Sequence, residues 1–305
     1  MNKSAWTVGL SYVVWGLLPV FWKLLAGVDA FYTLSARIVF SLVVSVAAVL
    51  MTGKWPEAKA ALLDKKTRNT LLLAGIVITL NWGGYIWCVM NGRVLDSSLA
   101  YYINPIVSVI VGAVIFKEKL NGRAWCAVGL ACIGVVYPMV EEGQFPVLAV
   151  LIAVSFAVYG VIKKKVTVSG DVSIFIETLM VSPLALSLMI FMEVSGTGPL
   201  STGVLGGWKL LLLPAAGLVT YLPLALFSRG IKGTSMSLSG ILMYVNPTLQ
   251  LILGVLLYGE QLTGSKIVTF CFVWAGIVLF LLSGRRKKEP APEAQATILQ
   301  EEACK

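Results

Sequence analysis

Ten apolar segments of about 20 residues dominate this chain of 305 residues. A helix needs about 20 predominantly apolar residues to cross roughly 30 Å of hydrocarbon. The linkers between the segments are shorter than 20 residues, which leaves no room for a sizeable aqueous domain. The pattern therefore predicts an all-α integral membrane protein with ten transmembrane helices and excludes a large soluble catalytic module. The segments are 5–25, 31–52, 70–90, 96–116, 123–140, 145–163, 172–193, 208–229, 235–258 and 264–283.

The amino-acid composition excludes several kinds of active site. The chain is 58% hydrophobic and 13% charged, whereas a soluble domain carries about 25% charged residues. It has no histidine, which removes histidine metal ligands, Ser-His-Asp triads and the usual proton switch at neutral pH. Its five cysteines form no CxxC pair, and no GxxxxGK[ST] loop for nucleotide phosphates occurs. We therefore expect no metal, no cofactor and no enzymatic activity.

The loop charges predict an orientation. With the N-terminus in the cytoplasm, 18 lysines and arginines fall on the cytoplasmic side and 4 on the other side. Cytoplasmic loops of membrane proteins carry such an excess. Both termini are therefore predicted to lie in the cytoplasm, with the protein in a bacterial-type inner membrane. The same distribution explains the net charge of +9 without nucleic acid, so the expected partners are the lipid bilayer and a small-molecule substrate. Residues 285–305 have too little apolar content to fold and are predicted to form a disordered cytoplasmic tail.

The chain contains an internal repeat. Residues 101–122 align without gaps to residues 243–264 at an offset of 142, with eight identities that include an Asn-Pro pair. The same offset places Asp29 on Asp171. Each half then holds five apolar segments, and an odd number forces the two halves into opposite orientations. This predicts two inverted five-helix repeats, 1–140 and 141–284, an arrangement that recurs in secondary transporters.

Several short motifs resemble the RarD family of EamA-type permeases, within the drug/metabolite transporter superfamily. They are Trp15-Gly-Leu-Leu-Pro19, Asn81-Trp82, Tyr102-Ile-Asn-Pro105, Lys163-Lys-Lys165, Glu177-Thr-Leu179 and Asn246-Pro-Thr-Leu-Gln250, and the likeness covers 5–283. The chain departs from the family at Ala36-Arg37, where the family usually has His-Arg, and at Val245-Asn246-Pro247, where it often has Ile-Ala-Pro. The resemblance implies a ten-helix inner-membrane permease, associated by the family's name with chloramphenicol sensitivity, and implies no particular substrate.

Two charged residues lie inside apolar segments, where such groups normally face a bundle interior or a water-filled cavity. Arg37 lies about six residues into the second segment and is the candidate for holding a substrate carboxylate or similar anion. The alternative is that it snorkels to the interface or ties helices together. Glu177 in the seventh segment is the candidate proton-coupling site, with a structural hydrogen-bonding role as the alternative. Because the repeats are inverted, we do not expect these two residues to pair.

A polar seam runs along the two copies of the repeat. Ser97, Tyr101, Asn104 and Ser108 share one helix face, and Ser239, Met243, Asn246 and Gln250 share the matching face. Pro105 and Pro247 cannot donate an N–H, so both helices are predicted to kink there, and a simple packing kink is the alternative to a pathway role. The predicted substrate pathway comprises Trp15, Arg37, Asn81, Trp82, Tyr85, Tyr101, Tyr102, Asn104, Tyr159, Tyr244, Asn246 and Gln250.

Three functions are compatible with these features. The first is a secondary transporter that exports small metabolites or drug-like amphipathic solutes by alternating access of its halves. The second is an integral-membrane enzyme or lipid-handling protein, which would need clustered acids near one interface, whereas this chain has only isolated carboxylates there. The third is a structural or sensory subunit, which predicts a sealed bundle without an accessible cavity.

The topology is testable with reporter fusions. Alkaline phosphatase fused after Gly143 should be active, because the predicted loop is external, whereas a fluorescent protein fused after Lys164 should fluoresce in the cytoplasm. The reciprocal fusions are the control. A cytoplasmic signal of equal strength from both positions would contradict the inverted repeat.

Overall fold

The computed structural model describes residues 2–90, 94–142, 147–259 and 264–283, and within these ranges it consists of helices and short connections. Two 3-10 helices, Gly207–Leu211 and Ile231–Gly233, flank the ninth α-helix. The α-helices are α1 (Lys3–Leu24), α2 (Ala30–Met51), α3 (Trp55–Leu63), α4 (Lys65–Met90), α5 (Val94–Ile115), α6 (Gly122–Glu142), α7 (Val147–Lys165), α8 (Gly170–Val194), α9 (Leu212–Gly230), α10 (Met236–Met243), α11 (Val245–Tyr258) and α12 (Gly264–Ser283).

Most of these helices are long and apolar enough to cross a membrane. By length and composition, eight helical stretches of the described chain qualify, and two shorter apolar helices, Leu99–Ile115 and Ile267–Leu282, accompany them. The predicted all-α integral membrane class is thereby confirmed, whereas the count of ten spans stays a prediction. The proposed tail, 285–305, lies outside the described residues, as does Glu260 of the second repeat.

The linker between the predicted segments 31–52 and 70–90 contains a helix, α3, that its hydropathy does not reveal. α3 begins with a proline in its first turn, a position where the missing N–H is not needed, and it buries Ala58 and Ala61. α4 then starts at Lys65 rather than near residue 70, because the Asp64 carboxylate accepts the backbone N–H of Thr67 at 2.9 Å. A capping side chain extends the helix into its polar first turn, beyond the apolar run that the hydropathy pattern shows.

The predicted helix at 235–258 is also interrupted. α10 ends at Met243 and α11 begins at Val245, so the break lies at Tyr244, three residues before Pro247. Pro247 then falls in the first turn of α11, where its missing N–H leaves no helical hydrogen bond unmade. Its counterpart Pro105 lies inside the continuous helix α5. The two copies of the Asn-Pro motif therefore have different backbones.

The halves interlock through equivalent helices. α2 packs on α8, α5 packs on α10, and α6 packs on α12, and the members of each pair occupy matching positions in the repeat. α1 packs on α9 and α11, just as α7 packs on α4 and α5. The contacts of one half thus recur with the halves exchanged, as a pseudo-two-fold relation between repeats requires. The largest helix interfaces lie between the halves rather than within them.

Small residues permit the closest of these crossings. A Cβ atom on Gly217 of α9 would lie 2.4 Å from the backbone carbon of Phe40 in α2. At the same crossing the Ser41 hydroxyl donates to the Gly217 carbonyl at 3.1 Å. Helices in a membrane pack through such backbone contacts because lipid supplies no hydrophobic driving force between them.

Replacing Gly217 tests this interface. Gly217→Ala should lower the melting temperature of the protein in detergent, with a loss of about 1–3 kcal/mol from overpacking against Phe40. Gly129→Ala is the matched control, because this exposed helical glycine has no neighbour within 4 Å of an added Cβ. Alanine there should leave stability unchanged or raise it, by up to about 1 kcal/mol. Equal behaviour of the two variants would contradict the assigned crossing.

Candidate functional site

A cavity of about 560 Å³ lies between the two halves. Its walls come from α1, α2, α4 and α5 of the first half and from α7, α10 and α11 of the second. The volume falls within the usual range for small-molecule sites, about 300–1,000 Å³. The lining is mainly aromatic and aliphatic with a few polar groups, which is the usual composition of such sites.

Nine of the predicted pathway residues line this cavity. They are Trp15, Arg37, Asn81, Trp82, Tyr85, Tyr101, Asn104, Asn246 and Gln250. The predicted list omitted Trp22, Lys23 and Phe156, which also line it. Trp22 follows Trp15 by seven residues and so shares its helix face, a signal that pointed to it. Phe156 has no comparable signal, because an isolated ring in an apolar helix normally packs in the core.

The guanidinium of Arg37 lies over two indole rings. Its guanidinium carbon lies 4.6 Å from the centre of the Trp22 ring and 4.5 Å from that of Trp82. Its Nε–H donates to the Thr220 hydroxyl of α9 at 3.1 Å. Among the residues that the structure describes, no carboxylate forms an ion pair with Arg37. Two cation–π contacts and one hydrogen bond therefore hold a half-buried cation in the cavity wall.

The two asparagines of the repeat face the same cavity. Asn104 is 7% exposed, and its Oδ1 is buried without a hydrogen-bond partner. The equivalent Asn246 accepts a hydrogen bond from Gln250 Nε2 at 2.7 Å. Asn81, in contrast, donates to the Ile152 carbonyl at 2.7 Å and to the Ser155 hydroxyl at 2.9 Å, so it joins α4 to α7. Asn104 therefore carries a hydrogen-bonding group that the described protein leaves unused.

The remaining predicted tyrosines lie outside the cavity lining. The Tyr244 hydroxyl donates to the Tyr102 carbonyl at 3.2 Å, which joins α5 to the break between α10 and α11. The Tyr102 ring packs edge-on against Phe270 at 5.8 Å. Tyr159 is fully buried and donates to Glu177 Oε2 at 3.1 Å. In this conformation these three rings contact other helices.

Glu177 belongs to a buried ionic cluster. Its Oε1 lies 2.6 Å from Lys163 Nζ, and the two side chains are 4% and 1% exposed. The Ser173 hydroxyl also donates to Oε1 at 2.6 Å. Lys163 is one of the 18 lysines and arginines assigned to the cytoplasmic side. In the structure, the last turn of α7 directs its side chain into the protein, toward Glu177 of α8. Arg37 and Glu177 do not pair, as expected.

A second ionic cluster surrounds Asp171, at the beginning of α8. Its carboxylate accepts hydrogen bonds from Lys54 Nζ at 2.6 Å, from the Tyr221 hydroxyl at 2.6 Å and from Arg229 Nη2. Asp171 is fully buried, and Lys54 comes from the other half of the chain. The equivalent Asp29 instead accepts the backbone N–H groups of Phe31 and Tyr32 at the start of α2. Equivalent aspartates are thus ion-paired in one half and helix-capping in the other.

The cavity and the ionic clusters lie at opposite ends of α2. Arg37 lies in its first half, Lys54 follows its last turn, and about 21 Å of helix separates Arg37 from Met51 at 1.5 Å per residue. None of the ionic residues described around Asp171 and Glu177 lines the cavity. Glu118 of the first half adds a further contact between the halves, because it accepts the backbone N–H groups of Met236 and Ser237 at 2.7 and 2.9 Å. The interface between the halves is therefore hollow at one end and ion-paired at the other.

Substitutions in the buried ion pair of Lys163 and Glu177 test its contribution to the stability of the protein. Glu177→Gln should lower the free energy of unfolding by about 3–5 kcal/mol, because it leaves the Lys163 charge buried without its counter-charge. Adding Lys163→Met to that variant should restore much of the loss, because no uncompensated charge then remains. The measurement is unfolding of the purified protein in mixed micelles. A double variant no more stable than Glu177→Gln alone would contradict this account.

Comparisons with known proteins agree with this architecture. The model of the EamA-like transporter family matches residues 3–138 and 145–282. A Bacillus subtilis protein described as an uncharacterized transporter, YojE, is 38% identical over 286 residues, which are 92% of this chain and 94% of that protein. Protein RarD of Escherichia coli is 32% identical over 272 residues, with 89% and 91% covered. A solved crystal structure superimposes with a TM-score of 0.72 at 20% identity, over 94% of this chain and all of the other.

The family match covers nearly all of the helical region, in two segments that correspond to the two halves of the repeat. The structural likeness, at 20% identity, bears on the fold alone. The identities to the transporter proteins extend over most of the chain and most of each relative. The chain therefore belongs to the EamA-like transporter family, as a RarD-type member.

Proposed function

We propose that the protein is a secondary transporter that exports small metabolites or drug-like amphipathic solutes across the inner membrane. The observation that carries the proposal is the cavity of about 560 Å³ between the halves, with Asn104 and Asn246 at equivalent repeat positions in its wall. Transporters built from inverted repeats bind substrate at this interface and expose it alternately to the two sides. The two repeats are taken as 1–140 and 141–284.

Alternating access explains the unequal ends of the interface. The ion pair of Asp171 with Lys54 joins the halves at one end, and the cavity occupies the other. The excess of lysine and arginine assigns the ion-paired end to the cytoplasm, where both termini also lie in this proposal. The conformation is then closed to the cytoplasm, and passage of a solute requires the ion pair between Lys54 and Asp171 to separate.

Glu177 is the proposed proton-coupling site. The sequence contains no phosphate-binding loop of the GxxxxGK[ST] type, so we assign the driving force to an ion gradient. Glu177 is buried near the ion-paired end of the bundle, with Lys163 and Tyr159 as its partners. Protonation of its carboxylate would break the ion pair with Lys163 and so remove a link between α7 and α8.

The names of relatives suggest one class of solute. A relative from Pseudomonas aeruginosa, 28% identical over 272 residues, is named chloramphenicol-sensitive protein RarD. That name supports the inclusion of drug-like amphipathic molecules in the proposal. Several aromatic rings of the cavity wall, such as Trp15, Tyr85 and Phe156, provide the apolar contact surface that such molecules need.

Cysteine accessibility tests the proposed pathway. In a variant without native cysteines, Asn104→Cys and Asn246→Cys should react with a membrane-impermeant maleimide added from the external side. Ala74→Cys should stay unlabelled, because Ala74 is fully buried and outside the cavity lining. Adding Asp171→Asn should increase labelling of both positions from the cytoplasmic side, because it removes the charge that pairs with Lys54 of the other half. Protection of both positions from both sides would contradict a pathway and favour a sealed bundle.

A further inference from the structure

We propose that the cavity binds small organic anions with an apolar or aromatic body and rejects organic cations of the same size. This inference rests on the proposed transport function and assigns the substrate class of the same site. It follows from three observations: the signs of the charges in the cavity wall, the N–H donors of Arg37 that the described residues leave unused, and the unused acceptor of Asn104.

The charges in the described cavity wall have one sign. Arg37 and Lys23 line the cavity, and no aspartate or glutamate is among the described lining residues. In a partly buried site of low effective dielectric, charges interact much more strongly than in water. The cavity therefore attracts anions and repels cations. A transporter for organic cations would need a carboxylate or a comparable negative group at this position.

The Arg37 guanidinium has protein contacts on part of its surface and N–H donors that the described residues leave unused. Trp22 and Trp82 lie near the guanidinium at 4.6 and 4.5 Å, measured to the ring centres, and the Nε–H is used by Thr220. The Nη1 and Nη2 groups make no hydrogen bond to the residues that the structure describes. Two such N–H groups in a rigid plane match the two oxygens of a carboxylate or sulfonate. An anion bound there would also supply the counter-charge that the half-buried cation lacks.

Asn104 adds a second point of recognition. Its Oδ1 is buried without a partner in a residue that is 7% exposed and lines the cavity. A buried acceptor without a donor costs free energy, which a ligand that donates a hydrogen bond to it can recover. The rings of Trp15, Tyr85 and Phe156 form much of the remaining wall. The preferred ligand thus combines an anionic group, an apolar body and an N–H or O–H donor.

Binding of an anionic, a neutral and a cationic aromatic probe decides the proposal. The probes are benzenesulfonate, benzenesulfonamide and phenyltrimethylammonium, which share a ring and differ in charge, and binding to the purified full-length protein is measured by titration calorimetry. We expect measurable binding of benzenesulfonate and at least about tenfold weaker binding of the other two, since a hydrogen bond to a charged group is stronger than one between neutral groups. Equal affinity for the three probes, tighter binding of the cation, or no binding of benzenesulfonate would overturn the proposal, and none of these results depends on a variant.

Variants then assign the recognition to named side chains. Arg37→Gln should weaken benzenesulfonate binding about tenfold or more, and Arg37→Lys should retain part of it, because lysine keeps the charge without the planar pair of donors. Arg123→Gln, at an exposed position outside the cavity, is the matched control and should bind as the wild type does. 4-Aminobenzenesulfonate should bind more tightly than benzenesulfonate, and Asn104→Leu should remove that difference. Loss of binding in the control to the same extent as in Arg37→Gln would contradict the assigned site.

Counterflow in proteoliposomes separates this inference from the proposed function. Uptake of labelled benzenesulfonate that exceeds uptake by empty liposomes and is lost in Arg37→Gln supports both. Anion-selective binding without any uptake supports the ligand class and contradicts transport of the probe. Uptake of phenyltrimethylammonium in preference to benzenesulfonate supports transport and overturns the ligand class.

Discussion

The hydrocarbon of a bilayer offers no hydrogen-bond partner, and this constraint governs where the polar groups of the protein lie. Within the helices, polar side chains are satisfied across the interface between the halves: the Tyr12 hydroxyl contacts Ser239 at 2.9 Å, and Thr269 donates to the Gly134 carbonyl at 2.8 Å. Exposed positions on the same helices carry large apolar side chains, such as Leu80 and Leu184. The bundle therefore presents apolar side chains to the lipid and keeps its polar groups inside, many of them at the interface between the halves.

The same interface places opposite requirements on its two ends. At one end, Asp171 and Glu177 have cationic partners at 2.6 Å, so charge is neutralised within the protein and the helices are held together. At the other end, Arg37 is supported by aromatic faces and one hydroxyl rather than by a carboxylate. A neutralised end is suited to closure and an unneutralised end to binding. The two repeats are equivalent in sequence at Asp29 and Asp171, yet only Asp171 forms ion pairs among the described residues.

Much of the fold and part of the site could be predicted from the sequence. An apolar segment of about 20 residues is a specific indication of a membrane-spanning helix. The repeated Asn-Pro motif indicated that Asn104 and Asn246 occupy equivalent positions in the two halves. Hydropathy did not reveal α3, because its nine residues are shorter than a span and their helical state depends on capping and local packing. Hydropathy also could not show that Lys163 is buried, since the position of its side chain depends on the ion pair with Glu177 in the next helix. The break at Tyr244 was also missed, because a proline indicates a perturbed helix without determining on which residue the perturbation falls.

The sequence by itself determined that the chain is a helical membrane protein of two related halves, because apolar length and internal repetition are properties of the chain alone. It also identified most of the polar residues that meet in the cavity, since a costly polar group inside an apolar segment needs a reason to be there. Only the tertiary structure decided which of these residues face the cavity and which join helices. The choice depends on contacts between segments far apart in sequence: Arg37 meets Thr220 across 183 residues, and Lys54 meets Asp171 across 117. A helix's own sequence specifies which face is polar, but the neighbour packed against that face decides whether the polar group is satisfied by protein or left for a ligand.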